Sequence, residues 1–216
     1  MNEPTKQQFR ILYSKGEALR YTANLDMHKI WERWFRRASV PLAYSKGYHP
    51  QPRINQAAPL PLGMLSTCEL LDFWTETNDP CDVKDLAGKL NHSPQPGIGL
   101  HSLIEIHEKE ASLQSRLRSM EYLAEPLLPV TAMDVEGQIK EFLSTEIFMT
   151  IRRNKEINLR QLVISMKADS LNDADRVWMH LQALPGASGR PDDVVGVLGF
   201  DPAHFRYTRI KIHLDE

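Results

Sequence analysis

The stretch Leu19–Arg53, LRYTANLDMHKIWERWFRRASVPLAYSKGYHPQPR, decides how the rest of this chain is read. Within it Leu25, Met27, Ile30, Trp31, Trp34, Phe35 and Ala38 recur at helical spacing, so one wide apolar face can be buried against a sheet. Lys29, Arg33, Arg36 and Arg37 fall on the other side. Asn24 is placed to cap the first free N–H groups, Asp26 sits where the positive end of the helix dipole favours an anion, and Pro41 marks the end. Arg36 and Arg37 then match the negative C-terminal end, which would make them an ordinary solvated face.

Charge along the chain adds a second reading. Residues 1–53 hold ten Lys or Arg and four acids, a net of +6, so the remainder carries −8 within an overall −2. A basic end on a near-neutral protein commonly meets an anion, most often nucleic acid. Tyr13, Tyr21, Tyr44, Tyr48 and His49 lie among those cations, the mixture that holds single-stranded or looped RNA by stacking and phosphate contacts.

Outward from this stretch, Phe9, Ile11 and Tyr13 alternate with Arg10 and Leu12 as a strand does, and Ser14 to Glu17 reads as a turn. Tyr-Ser-Lys-Gly occurs at 13–16 and again at 44–47, where Leu42-Ala43-Tyr44 starts an extended segment. A parallel crossover would bring both tetrapeptides to one sheet edge and make Lys15 and Lys46 neighbours. Tyr48 to Arg53, with two prolines, is an exposed loop, and Ala57–Gly63 continues extended and apolar. Glu69–Glu76 reads as a strand with Leu71, Phe73 and Thr75 on one side. Asp79 and Pro80 open a helix whose apolar face is Val83, Leu86, Ala87 and Leu90, Pro94–Gly97 ends it, and Gly99–His107 is a strand.

The expected fold class is therefore α+β: a ferredoxin-like split β-α-β N-terminal domain at 1–110, then a second, related α+β domain at 120–216. The charged segment 108–119 reads as a connector. In the second domain a strand is expected at 121–127, a helix at 134–144, strands at 148–152, 158–167 and 176–183, a short helix opened by Arg190-Pro191, and a closing strand at 205–214.

The chain contains no GxxxxGK[ST], GxGxxG after a strand, HExxH or GxSxG, which disfavours nucleotide hydrolysis, Rossmann cofactor use and zinc proteolysis. Eight scattered histidines show no i, i+4 pair, so no metal site and no cofactor are expected. His28 with Glu32, or His49 in the loop, could move a proton if a partner positions it. Two cysteines without CxxC point to reduced thiols. With no apolar run near 18 residues and a polar N-terminus, a cytoplasmic protein without membrane contact is expected.

Tyr13-Ser14-Lys15-Gly16, Leu19-Arg20-Tyr21, Asn24-Leu25-Asp26, Arg36-Arg37-Ala38, Pro41 to Tyr48 with Pro50-Gln51-Pro52, Pro59 to Gly63 and Glu69 resemble the DUF2344 family of radical SAM-associated bacterial proteins. Asn158-Leu159-Arg160 and Arg190-Pro191-Asp192 add weaker matches. The more usual family pattern has Ser-His before Leu-Asp and Asn-Pro-His-Pro in the loop. Here Ala23-Asn24 and His49-Pro50-Gln51-Pro52 stand there, and amide side chains bind but do not titrate.

The resemblance implies a partner radical SAM enzyme and gives no established activity. Lacking CxxxCxxC, this chain cannot itself hold that enzyme's iron–sulfur cluster. The function expected first is an RNA-binding accessory or substrate-recognition module for that partner. A protein–protein adaptor is the alternative, and an RNA-processing or RNA-modifying enzyme in its own right comes third. Lys15, Arg20, Arg33, Arg37, Lys46, Tyr48 and Arg53 are expected to converge on one nucleic-acid-binding face.

Overall fold

The computed structural model describes residues 4–108, 110–127, 135–152, 154–171, 174–184 and 186–215. The chain divides into two compact units, Met1–Arg116 and Leu117–Glu216. Each mixes helices with a mostly antiparallel sheet.

In the first unit β1 (Thr5–Lys15), α1 (Asn24–Arg37), β2 (Ile54–Gln56), β3 (Leu65–Thr77), α2 (Val83–His92) and β4 (Ile98–Ile106) follow in order, then the single-turn α3 (Leu113–Arg116). The strands lie in the order β2-β3-β1-β4, and each pairing is antiparallel. β1 and β2 therefore run the same way on either side of β3.

Strand alternation sends Phe9, Ile11, Tyr13, Leu71 and Phe73 to one face, and α1 covers it with Met27, Trp31, Trp34 and Phe35. The rings interlock: Tyr13 meets Trp31 edge-on at 4.8 Å, and Phe35 lies 4.7 Å from Phe73. Truncating one such aromatic costs about 3–5 kcal/mol, so this cluster anchors the unit. Leu25, expected on the buried face, is instead 77% exposed: at about 100° per residue it lies on the side of α1 away from Met27 and Trp34, and Met27 in the same first turn is buried.

Two caps also differ from expectation. α1 starts at Asn24 after Ala23, with no side-chain cap, and α2 is capped by Asp82, whose carboxylate accepts from the Lys84 and Asp85 N–H groups. Asp79 and Pro80 lie in the preceding turn, with Thr77 Oγ1 donating to the Asp79 carbonyl. The strand beyond α1 is displaced too. Leu42 makes only an isolated bridge to Thr75, and regular pairing with β3 begins at Ile54.

The second unit comprises β5 (Leu117–Pro126), α4 (Val135–Ser144), a hairpin of β6 (Met149–Arg152) and β7 (Lys155–Asn158), β8 (Val163–Leu171), β9 (Ala174–Leu184), the short β10 (Ala187–Ser188), α5 (Pro191–Val197) and β11 (Phe205–Leu214). Apart from the hairpin and β10, it repeats the element order of the first unit from β1 to β4. The strand order β8-β9-β5-β11 matches as well, with every pairing antiparallel.

The segment expected to connect the domains contains α3 and the start of β5. The single strand expected at 158–167 is broken by a 3-10 turn at Arg160–Leu162. Asp134, expected to open α4, lies outside the described residues. Among the described residues no helix is long and apolar enough to cross a membrane.

Candidate nucleic-acid interface

Pro50 and Pro52 deny the segment after Ala43 a regular ladder, and the chain makes an excursion from the sheet edge. It leaves where the Ala43 N–H donates to the Trp74 carbonyl at 2.7 Å. It returns where Arg53 N–H donates to the Ala43 carbonyl at 2.9 Å. Between these points Ser45 ties the neck: its N–H donates to the Gln51 carbonyl at 2.8 Å, and its Oγ accepts from the Gln51 N–H at 2.9 Å. Gly47, at φ +142°, makes a bend that side chains rarely permit. Tyr48 stands fully exposed at the tip with Lys46 and His49 beside it, and Tyr44 is half exposed at the neck.

The seven residues expected on one face do not share it. Lys15 is 2% exposed, its ammonium directed at the carbonyls of Arg20 (3.4 Å) and Thr22 (3.2 Å), so it holds the chain entering α1 and is not presented to solvent. Arg20 is committed to the protein as well. Its Nε donates to the Gly63 carbonyl at 2.9 Å, the Gly63 N–H returns a bond to the Arg20 carbonyl, and its guanidinium lies over the Tyr21 ring at 5.3 Å.

Arg33 and Arg37 are exposed on α1, with Arg37 donating to Gln95 at 2.9 Å. Arg53 stacks on Trp74 at 4.6 Å. Trp74 follows Phe73, which faces α1, so Arg53 belongs to the opposite side of the sheet. Nor are Lys15 and Lys46 neighbours. Lys15 pairs with Ser66 while Leu42 meets Thr75, nine residues farther along β3 and roughly 30 Å away at strand rise. What remains together is the loop: Lys46 and Tyr48, with Arg53 at its base.

The second unit holds a cluster that sequence spacing did not reveal. Glu121 on β5, His180 on β9 and His213 on β11 gather on the sheet face away from the buried Met120, Tyr122 and Met179. Glu121 and His180 are direct cross-strand partners. A bulge between Arg209 and Lys211 reverses the alternation of β11, so Tyr207 and Arg209 point into the core whereas Lys211 and His213 point the other way.

His213 Nε2 lies 2.7 Å from Glu121 Oε1, and Trp178 Nε1–H donates to Glu121 Oε2 at 3.1 Å. Burial pushes the Glu121 carboxyl up, but the hydrogen bonds from His213 and Trp178 outweigh it and hold it below its ordinary value. Burial, aided by the neighbouring His213, lowers His180. The histidines expected to stay scattered thus include a pair with ring centroids 4.6 Å apart.

No curated protein matches this chain. Among solved structures it is similar to a protein of unknown function from Galdieria sulphuraria, with 10% identity, a TM-score of 0.28 and coverage of 98% of this chain and 100% of that one. It is also similar to a putative glycine cleavage system transcriptional repressor, with 8% identity, a TM-score of 0.26 and coverage of 97% and 99%. At these TM-scores neither likeness establishes a shared fold. The family comparison is firmer: residues 8–191 match the model of DUF2344, "Uncharacterized protein conserved in bacteria", and the chain belongs to that family.

Proposed function

We propose that this protein is an RNA-binding accessory module that supplies substrate recognition to a radical SAM enzyme, with the 44–53 loop as its contact element. The observation that carries this reading is Tyr48, fully exposed at the tip of a loop tied at its neck. A loop already ordered loses little entropy on binding, and an exposed aromatic beside Lys46 offers a base a stacking surface and a phosphate a cation. The exposed Arg33, Arg36 and Arg37 of α1 and the +6 balance of residues 1–53 would add attraction at longer range. On this reading both units are ferredoxin-like, the first carrying the contact loop.

The adaptor reading is second, and the separation of Arg53 from Arg33 and Arg37 across the sheet favours it, because a single-stranded RNA would have to turn the sheet edge to meet both groups.

The test is a titration of structured and single-stranded RNA across salt concentrations. Affinity should fall as salt rises, and Lys46→Ala should flatten that slope by about 1 unit, as expected for one lost phosphate contact. Tyr48→Ala should weaken binding by ~1–3 kcal/mol with the slope little changed. No binding at low salt, together with copurification of the radical SAM protein from nuclease-treated extract, would establish the adaptor instead.

A further inference from the structure

We propose that Glu121, His180 and His213 form a binding site for a borderline divalent cation such as zinc or cobalt(II). The ligand set is two imidazoles and one carboxylate, a combination that suits Zn²⁺ and its first-row neighbours and leaves coordination positions open for water or a further ligand. Three adjacent strands supply the ligands, so the spacing is set by the sheet ladder and not by a loop.

One potential ligand atom from each residue lies within 4.8 Å of the others. A tetrahedral ion with bonds of about 2.0–2.1 Å needs ligand separations of roughly 3.4 Å, so loading takes side-chain adjustments of about 1 Å. The hydrogen bonds already point this way. His213 Nε2 and Glu121 Oε1, at 2.7 Å, share a proton position that a cation can take over. Glu121 Oε2 is held by the Trp178 indole N–H, the kind of outer hydrogen bond that orients a ligating carboxylate. His180 Nε2 rests 2.7 Å from Ser119 Oγ, a neutral partner that it can exchange for a metal.

The opposing charge is Lys211, whose ammonium lies 3.8 Å from the Glu121 carboxylate. It is 60% exposed and can swing into water, whereas Glu121 is 15% exposed and His213 30%, sheltered enough for a bond to a cation to compete with solvent.

The experiment adds Co²⁺ to the full chain, following its visible absorption, and titrates Zn²⁺ by calorimetry. The wild type should bind one ion per chain and gain thermal stability from it. His213→Ala, His180→Ala and Glu121→Gln should each weaken binding by at least about tenfold, and Trp178→Phe by about tenfold, through loss of the outer hydrogen bond. Circular dichroism and the melting temperature without metal identify any variant that has lost its fold. Glu121→Gln, nearly isosteric, keeps the test decisive if the alanine variants unfold. Absence of one-to-one binding in the wild type, or equal binding by the wild type and folded Glu121→Gln and His213→Ala, would overturn the proposal.

Discussion

The two copies of Tyr-Ser-Lys-Gly in the first unit meet opposite fates. Tyr13 and Lys15, at the end of a central strand, are 1% and 2% exposed. Tyr44 is 49% exposed and Lys46 is also exposed, in a loop thrown out from the sheet edge. Tyr13 packs edge-on against Trp31 and accepts a hydrogen bond from Gln56 Nε2 at 3.1 Å. Gly16 adopts an extended conformation at φ −94°, whereas Gly47 sits at φ +142°. One tetrapeptide thus serves as core and as a solvent-facing element. The difference lies in what surrounds it: β1 has β3 and β4 on its flanks and α1 above it, while the second copy runs along the loop neck, where Tyr44 bridges Pro52 and Ser45 bonds to Gln51.

The sharpest way to break this comparison is at the tyrosines. Tyr13→Ala removes a buried aromatic from the cluster around Trp31 and should cost about 3–5 kcal/mol. Tyr44→Ala should stay within about 0.5 kcal/mol. Urea denaturation of both variants measures the contrast, and equal losses would mean that the two copies are not divided into core and surface.

The lysines come next. Lys15→Met leaves the carbonyls of Arg20 and Thr22 without the ammonium, and charged hydrogen bonds of this kind are worth about 1.5–3 kcal/mol. Lys46→Met should leave the melting temperature almost unchanged while lowering RNA affinity. A Lys15→Met variant as stable as the wild type would show that the clamp on the chain entering α1 contributes little.

What could be read in advance follows from the range of the interaction responsible. The mixed α and β character and the buried faces of α2, β3 and, apart from Leu25, α1 come from local periodicity and were legible. Cap positions slipped by one to three residues, because Asn24 and Asp79 are as good cap formers as the residue that does cap α2, Asp82, and local chemistry cannot rank them. The fate of Lys15 was hidden, since a lysine ending a strand reads as exposed until the carbonyls of a later turn close over it. The pairing of His180 with His213 was hidden more deeply. It depends on the order of β9, β5 and β11 and on a bulge that changes the face on which residue 213 lies, and FRYTRIKIHL carries no glycine or proline to announce it.

The glycines offer the smallest effect and the one in which even the sign separates the two copies. A Cβ on Gly47 would meet no heavy atom within 4 Å, so any penalty for Gly47→Ala comes from backbone conformation alone. At φ +142° an alanine is strained, and the loss should be about 1 kcal/mol or somewhat more, together with weaker RNA binding if the bend aims Tyr48. A Cβ on Gly16 would lie 3.8 Å from the Gly97 carbonyl oxygen, ordinary contact, and φ −94° suits any residue. There, alanine restricts the unfolded chain without straining the folded one, and Gly16→Ala should be neutral or stabilising by up to about 1 kcal/mol. Paired thermal melts measure both shifts. If Gly47→Ala melts no lower than Gly16→Ala, the loop does not hold its bend in solution, and the case for Tyr48 as a presented stacking surface falls with it.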